Sequence, residues 1–270
     1  MLRVMNVFQK GILAGKNAYI TGGTSGICLG IADLFARQGA RVAVQGRNPA
    51  KVNAAVEALT AHGGPVRGYS ADVRDPDATR AALQSARDEW GEIDILICGA
   101  AGNFPAPVTA MSPNGFKAVI DIDLLGTFNT ARLAWDHLRR PGASVLAISA
   151  THANQPYELQ AHVCAAKAGI EMLCKVLALE WGPAGVRVNA IAPGPVDGTE
   201  GMRRLAPTDA ARTAISSAVP LRRFADIGEI AAAALFLSSE AAAYITGAVL
   251  NVDGGSALVG SRFLAEAPVT

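Results

Sequence analysis

Short apolar segments alternate with longer helical segments along most of this 270-residue chain. The predicted strands cover 18–21, 42–45, 66–70, 93–98, 144–149, 186–191 and 248–252. The predicted helices lie between them, at 27–38, 49–61, 77–90, 114–139, 160–181 and 226–237. Strands that alternate with helices require right-handed crossovers and a parallel sheet covered on both faces. The pattern therefore predicts an α/β fold, a single doubly wound domain with a seven-stranded parallel sheet whose ligand binds at the carboxyl ends of the strands.

The composition agrees with a buried sheet and argues against several other classes of protein. Half of the residues are hydrophobic, 17% are charged, and no Pro-, Gly- or Ser-rich linker divides the chain. We therefore predict one domain at 15–256, with a lead-in at 1–14 and a tail at 257–270. A net charge of +1 without a long basic run predicts that nucleic acid is not a partner.

The cysteines and the chain ends complete this outline. The four cysteines form neither a C-x-x-C pair nor a zinc-binding spacing, so we expect reduced thiols and no metal site. No run of 18 apolar residues is present, so no membrane span is expected. The first 14 residues do not read as a signal peptide, and the final A-P-V-T differs from the S-K-L peroxisomal type. We expect a cytoplasmic protein.

A glycine-rich turn, T-G-G-T-S-G-I-C at 21–28, joins the first predicted strand to the first helix. Glycines in such a turn let a dinucleotide pyrophosphate approach the backbone, and the free N–H groups of the helix start face its negative charge. The turn predicts a Rossmann-type cofactor site with contacts from Gly22, Thr24, Ser25, Gly26 and Ile27. Cys28 occupies the usual third glycine position, where we expect a packing adjustment and not a loss of binding.

The end of the second predicted strand indicates which dinucleotide binds. A site for NAD places a carboxylate there for the ribose hydroxyls, whereas this chain has Gly46 and Arg47. A guanidinium can bind a 2′-phosphate in a fork, so NADP(H) is favoured. The alternative is that Arg47 is simply a solvated surface residue.

Several further segments resemble the short-chain dehydrogenase/reductase family, most of all its 2,4-dienoyl-CoA reductases of the peroxisomal type and their bacterial relatives. They are I-C-G-A-A-G-N-F at 97–104, A-H-V-C-A-A-K at 161–167, A-P-G-P-V-D-G-T-E-G-M-R-R-L at 192–205 and Y-I-T-G-A-V-L-N-V-D-G-G at 244–255. The resemblance covers roughly residues 15–255. It implies further cofactor contacts from Asp72, Val73, Ala100, Lys167, Pro193, Gly194 and Val196.

The catalytic positions of this chain depart from the usual pattern of the family. Ordinary members use Ser, Tyr and Lys with an Asn in a proton relay. In this chain the serine position is Ala150, the tyrosine position is Val163 and the asparagine position is Asp123, while Lys167 is retained. The resemblance to dienoyl-CoA reductases implies a rebuilt site in which Asp123 and Lys167 are catalytic. The alternatives are a helix-surface carboxylate for Asp123 and a snorkelling lysine for Lys167.

A conjugated dienoyl thioester suits a site without a phenol. It can take hydride at its far carbon and spread the negative charge to the thioester oxygen, which needs hydrogen-bond donors and not a strong acid. Lys167 would hold the nicotinamide ribose and supply positive charge, and Asp123 would orient a water that supplies the proton. His152 and His162 are alternative donors, although each also fits a polar wall of the cleft, and Tyr157 could supply a substitute phenol.

The predicted function is NADPH-dependent reduction of 2,4-dienoyl-CoA in fatty-acid oxidation. Asn103 and Phe104 are predicted to border the acyl chain, although Phe104 could instead be a core residue. Arg203, with Arg204 beside it, is predicted to contact the CoA phosphates, although the two arginines could instead form a solvated face. The alternatives are another reductase or dehydrogenase of this fold, or a non-catalytic NADP-binding sensor. The predicted substrate is therefore an acyl-CoA. The analogy with the family also predicts a homodimer or a homotetramer, with the predicted helices 114–139 and 160–181 as candidate subunit interfaces.

Overall fold

A computed structural model describes residues 8–258 as an α/β domain built on one seven-stranded sheet. Residues 1–7 of the predicted lead-in and 259–270 of the predicted tail lie outside the described residues. The strands are β1 (Asn17–Thr21), β2 (Arg41–Gly46), β3 (Val66–Ser70), β4 (Ile95–Cys98), β5 (Ser144–Ile148), β6 (Arg187–Pro193) and β7 (Val249–Val252). All neighbouring pairs are parallel, which confirms the predicted sheet.

The strand order β3-β2-β1-β4-β5-β6-β7 places the ligand site. The chain runs outward from β1 to β3, then returns to place β4 on the other side of β1. Loops after β1 and β4 therefore leave the sheet in opposite directions and open a crevice between them. In doubly wound sheets this reversal is where ligands bind.

Helices cover both faces of the sheet. They are α1 (Gly26–Arg37), α2 (Pro49–Thr60), α3 (Pro76–Trp90), α4 (Pro113–Ile120), α5 (Gly126–Ala134), α6 (Ala161–Trp181), α7 (Glu200–Leu205), α8 (Asp209–Ala218) and α9 (Ile227–Ser238). Residues of α1, α2 and α9 form the core on one face, and residues of α3, α5 and α6 form the core on the other. Because both faces are covered, the central strands β1, β4 and β5 are buried throughout. Within residues 8–258, no helix is long and apolar enough to cross a membrane.

The predicted helix 114–139 is wrong as a single element. Ser112 caps α4, whose first residue is Pro113, and α4 ends at Ile120. A π-helical turn, Asp121–Leu125, follows before α5 begins, and a 3-10 turn, Trp135–His137, ends the run. The π turn changes which side chains face inward, and it is the element that carries the buried Asp123. Helix α8 also lacks a counterpart in the prediction, because apart from Ile215 its side chains are polar or small, and none is buried.

Candidate active site

The glycine turn after β1 lies against the loop after β4. Gly22 has φ +71°, and a Cβ there would lie 2.7 Å from the Gly99 carbonyl oxygen and 2.8 Å from the Ala100 nitrogen. Only glycine therefore allows the two loops to approach at the reversal of strand order. Gly99 must also be a glycine, because a Cβ atom on this residue would lie 2.1 Å from the Cys28 sulfur. Burial raises the pKa of the Cys28 thiol to about 12, so this cysteine is a neutral packing group.

The amino end of α1 has the properties of an anion site. Ser25 precedes the helix in an extended conformation, its side chain makes no capping hydrogen bond, and no acidic residue lies in the first turn. The 12-residue helix therefore presents backbone N–H groups and the positive end of its dipole without a protein partner. Thr24 packs directly against Gly46, because a Cβ atom on this glycine would lie only 2.7 Å from the Thr24 methyl group. The geometry fits a dinucleotide pyrophosphate.

The loop after β6 forms the opposite wall of the crevice. Pro193 is the last residue of β6, and a Cβ on Gly194 would lie 2.7 Å from the Asp253 backbone, which cannot move aside as a side chain could. Val196 is buried and forms a bridge with Ala225. Thr199 of the same loop lies next to the glycine turn, because its methyl group is 3.9 Å from the position that a Cβ atom on Gly26 would occupy. The predicted cofactor residues of this loop thus lie close to those of the glycine turn.

At the end of β2, Arg47 is exposed. Asp72, in the loop after β3, accepts hydrogen bonds from the Arg74 side chain, with Nη2 at 2.7 Å from Oδ2. The Arg74 hydrogen bonds lower the pKa of Asp72, and the positive charge of Arg47 acts in the same direction. Asp72 is thus an ionised carboxylate flanked by two guanidinium groups. The sequence analysis did not single out Arg74, the partner of Asp72, although it lies only two positions further along the chain.

Lys167 and Asp123 meet as a buried ion pair between the end of β5 and the loop after β4. The Lys167 Nζ lies 3.1 Å from Asp123 Oδ2 and donates a hydrogen bond of 3.0 Å to the Ile148 carbonyl at the end of β5. Asp123 Oδ1 accepts a 2.7 Å hydrogen bond from the Gly102 backbone, in the loop after β4. Their side chains are 8% and 1% exposed, which excludes both the snorkelling lysine and the surface carboxylate.

Neither of the two usual hydroxyl positions carries a hydroxyl group. Val163 is buried with Val119 and Ala166 in a small apolar cluster, and Ala150 begins the turn after β5. The neighbouring Ser149 is engaged elsewhere, since its hydroxyl donates to Glu171 Oε1 at 2.8 Å. At the family's four catalytic positions the site therefore offers an ammonium and a carboxylate, with apolar side chains in place of the serine and the tyrosine.

Two histidines lie near this pair. His152 follows β5, and its ring stacks on the Tyr157 ring at 4.0 Å and 17°. His162 is buried in the first turn of α6, and its ring meets the Phe104 ring edge at 4.4 Å. Burial lowers the pKa of both, to about 4 for His152, where the Lys167 charge adds to the effect. Both rings are therefore neutral near pH 7. The Tyr157 hydroxyl lies 2.9 Å from the Thr151 hydroxyl, in a hydrogen bond that either group can donate.

The predicted substrate residues form the outer part of the crevice. Phe104 also packs against the Val119 cluster, so it has the core role as well as a possible substrate contact. Arg203 pairs with Glu200 within helix α7. Arg204 also pairs with Glu200, and in addition it donates a 2.9 Å hydrogen bond to the Asn103 carbonyl, a contact between α7 and the loop after β4. Sequence reasoning grouped the two arginines and missed this difference, because it depends on how α7 is placed.

Comparison with known proteins agrees with this geometry. A model of the family described as Enoyl-(Acyl carrier protein) reductase matches residues 22–257. The chain is 44% identical to the peroxisomal 2,4-dienoyl-CoA reductase, (3E)-enoyl-CoA-producing, of Pongo abelii, over 93% of this chain and 87% of that one. It is 39% identical to a probable 2,4-dienoyl-CoA reductase of Bacillus subtilis, over 89% and 96% of the two chains. A solved short chain dehydrogenase from Bacillus anthracis is 36% identical, with a TM-score of 0.80 over 94% of this chain and 99% of that one.

Proposed function

This chain belongs to the short-chain dehydrogenase/reductase family, and on that premise we propose that it is an NADPH-dependent 2,4-dienoyl-CoA reductase. The buried Lys167–Asp123 pair, beside positions that lack both usual hydroxyls, is the observation that carries the proposal. A simple ketone needs a strong local proton donor as hydride arrives, and this site offers none. A dienoyl thioester delocalises the incoming charge over several atoms, so hydrogen-bond donors and a positive charge are sufficient.

Membership of the family implies a nicotinamide dinucleotide, and the residues of the crevice fit one. The glycine turn and the free N–H groups of α1 would hold its pyrophosphate, and Ala100, Pro193, Gly194 and Val196 would border its nicotinamide end. NADP(H) is our choice because Arg47 is exposed at the end of β2 with no carboxylate at the ribose position. When bound, the cofactor supplies a hydride to the far carbon of the diene.

Lys167 and Asp123 have separate roles in this proposal. A lysine ammonium has three N–H donors, of which one is used by Ile148 and one points toward Asp123. The third is available for a ribose hydroxyl, so Lys167 would position the cofactor and hold positive charge near the thioester. Asp123 would orient a water toward the substrate carbon that takes up the proton. The outer residues Asn103, Phe104 and Arg203 would border the acyl chain and the CoA.

The proposal also covers the oligomeric state of the protein and its location in the cell. We propose a homo-oligomer, a dimer or a tetramer, because α5 and α6 expose apolar side chains on their outer surfaces. A cytoplasmic location stays a prediction from the sequence, whereas the relative from Pongo abelii is named as peroxisomal.

The experiment is to mix the protein with NADPH and a trans-2,trans-4-dienoyl-CoA and to follow NADPH absorbance. We expect turnover with the dienoyl thioester and little with a 3-oxoacyl-CoA or a simple ketone. A Lys167→Ala variant is the matched control for adventitious NADPH oxidation. Robust turnover of the 3-oxoacyl thioester, with none of the dienoyl thioester, would identify another reductase of the same fold. NADPH binding without turnover of any of these substrates would instead support a non-catalytic cofactor-binding protein.

A further inference from the structure

Buried polar atoms without a hydrogen-bond partner are concentrated around this crevice. They are Asn103 Oδ1, both ring nitrogens of His152, both side-chain amide atoms of Gln160 and both ring nitrogens of His162. Apart from Asp123 Oδ2, which faces Lys167, the rest of residues 8–258 has only two such atoms, in His137 and Ser238. A buried polar atom without a partner costs about 1–3 kcal/mol. Such a concentration indicates a site that a polar ligand or water completes.

Among these groups, His152 is held in place without the use of its ring nitrogens. It lies in the 3-10 turn Thr151–Ala153 that leaves the carboxyl end of β5, two residues after Ala150. The Tyr157 ring stacks on one face of the imidazole at 4.0 Å, and the Tyr157 hydroxyl is tied to Thr151 at 2.9 Å. The ring is thus oriented by stacking, while both nitrogens are buried without a hydrogen-bond partner.

Burial, and after it the charge of Lys167, sets the chemical state of this ring. Its ammonium is bound to the last carbonyl of β5, on the strand that His152 follows, and its charge reaches the imidazole. With its pKa lowered to about 4, the imidazole is neutral at pH 7 and has one N–H group to donate. A neutral imidazole is a good hydrogen-bond donor to a developing oxyanion, and it does not lose its proton in the process.

We propose that the neutral His152 ring donates a hydrogen bond to the thioester oxygen of the bound dienoyl-CoA, replacing the hydroxyl groups that Ala150 and Val163 lack. This inference rests on the proposed function. Hydride adds to the far carbon of the diene, each π pair shifts one bond toward the thioester, and the last pair resides on the oxygen. A carbon of this dienolate then takes a proton from water as the C=O bond forms again, and the hydroxide left behind takes up a proton from solvent. The N–H bond of His152 stays intact throughout.

His162 is the rival donor, but its placement differs. It is fully buried, and the Phe104 ring lies against it at 4.4 Å. The backbone carbonyls of Phe104 and Gln160 and the carboxylate of Asp123 all raise its pKa against the larger effect of burial. Its ring nitrogens, like those of His152, have no hydrogen-bond partner in the structure, but the His162 side chain is wholly buried whereas that of His152 is only partly buried, so His152 is the more accessible of the two rings.

The first test is spectroscopic and needs no turnover. A dienoyl-CoA is bound to the protein together with NADP⁺, which cannot reduce it, and the absorption band of the dienoyl thioester is recorded. A hydrogen bond to the thioester oxygen shifts that band to longer wavelength. We expect the shift in the wild type, its loss in His152→Leu, and partial retention in His152→Asn or His152→Gln. The asparagine and glutamine amides place an N–H near Nδ1 and Nε2 respectively, so the better of the two identifies the donating nitrogen.

The second test is steady-state turnover with NADPH. Because one oxyanion donor is typically worth 10²–10³ in kcat, we expect a fall of about that size for His152→Leu and a smaller fall for the amide variants. NADPH affinity should be unchanged. His62→Leu is the matched control, since His62 pairs with Asp33 at the surface, and it should behave as the wild type.

The outcomes separate this inference from the proposed function. If the wild type neither binds nor reduces a dienoyl-CoA, the proposed function fails, and this inference with it. If the wild type reduces it, but His152→Leu keeps both the spectral shift and kcat within about threefold, His152 is not the donor. The inference is equally overturned if His162→Leu abolishes the shift while His152→Leu does not.

Discussion

Asp123 and Lys167 share one buried ion pair, and each depends on the other for it. The Asp123 carboxylate also accepts from the Gly102 backbone, and the Lys167 ammonium also donates to Ile148. Breaking a buried pair by removing one partner typically costs 3–5 kcal/mol, because a buried charge is left uncompensated. A loss of activity in variants of either residue must therefore be read beside their thermal stability.

Asp123→Asn is expected to separate proton handling from cofactor binding. The amide keeps an acceptor for Gly102 but loses the negative charge that would orient and polarise the water. We expect kcat to fall by roughly 10²–10⁴-fold, with NADPH affinity near the wild-type value. Steady-state kinetics and fluorescence titration with NADPH measure the two quantities.

Lys167→Ala should behave differently, because the ammonium is proposed to contact the cofactor. NADPH affinity and turnover should then fall together. Val163→Phe serves as a packing control, since it disturbs the cluster with Val119 without removing a polar group. If Asp123→Asn retained nearly full kcat while Tyr157→Phe abolished it, the proton route through Asp123 would be wrong.

Arg47→Ala tests the choice of cofactor. A hydrogen bond to a charged group contributes about 1.5–3 kcal/mol, so NADPH affinity should fall by that amount while NADH affinity stays nearly constant. Arg80→Ala is a matched surface control, because Arg80 pairs only with Asp77 in the first turn of α3 among the residues described. Equal losses for both cofactors would refute the assignment of Arg47 to the 2′-phosphate.

Among the elements, helix α7 is the one that reaches across the crevice. Its amino cap is Thr199, near the glycine turn, and its Arg204 contacts the Asn103 carbonyl in the loop after β4. The helix thus connects the cofactor end of the site with the predicted acyl end. Arg203 and Arg204 both pair with Glu200, but Arg204 also binds the Asn103 carbonyl, so the two arginines can be tested against each other.

Arg204→Ala should raise KM for a dienoyl-CoA by about 2- to 10-fold, the value of one hydrogen bond of about 0.5–1.5 kcal/mol. It should do so equally for a short thioester that lacks the CoA phosphates, since it releases α7 from the Asn103 loop. Arg203→Ala should raise KM only for the CoA ester, and less so at high salt, if Arg203 meets the phosphates. Identical effects of the two variants on both substrates would argue against separate roles.

Helices α5 and α6 present apolar side chains to solvent. On α6, Met172, Val176 and Leu179 follow one stripe, and Leu179 is 80% exposed. Phe128 of α5 is 45% exposed. Apolar residues repeated along one face of a helix are typical of a surface that another subunit covers.

We therefore expect Leu179→Lys combined with Met172→Lys to lower the oligomeric state, because each buried side chain of this size contributes about 1.5–3 kcal/mol. Sedimentation velocity measures the change. Val108→Lys is the control, since Val108 is an isolated exposed residue in a 3-10 turn, 70% exposed. A monomeric wild type would contradict the proposed assembly.

Considered as a whole, the molecule carries buried neutral histidines at the carboxyl edge of its sheet. The unfolded chain takes up a proton on each histidine near pH 6.5, whereas folded His152 does so only near pH 4. Between these values the unfolded state binds more protons, so the free energy of unfolding falls as the pH falls.

Protonation of His152 is expected to lower the free energy of unfolding by about 3 kcal/mol between pH 6.5 and pH 4. Urea denaturation at pH 7 and at pH 4.5 measures it. His152→Leu should flatten the pH dependence in part, and His162 accounts for some of the remainder because its pKa is lowered as well. A pH dependence that is the same in His152→Leu as in the wild type would show that this ring is not buried in its neutral form.

Local patterns in the sequence determined the fold and the family. Apolar runs separated by helical segments predicted the seven parallel strands, because strand burial and turn chemistry depend on neighbouring residues. The glycine turn was recognisable in the sequence. So was the replacement of the family's catalytic serine by Ala150 and of its tyrosine by Val163, because these positions lie at fixed spacings from other motifs. Fold and family are confirmed, whereas the roles of Arg47, Asp123 and Lys167 stay predictions.

Only the tertiary structure decided which polar groups meet. Asp121 and Asp123 look alike in the sequence, but the π turn buries Asp123 between Gly102 and Lys167 and leaves Asp121 paired with Lys117. Likewise, the spacing placed His152 after a strand without revealing that Tyr157 would orient it. Such contacts join segments that are distant in the chain, and they depend on packing and on the placement of loops. No periodicity within one segment encodes them.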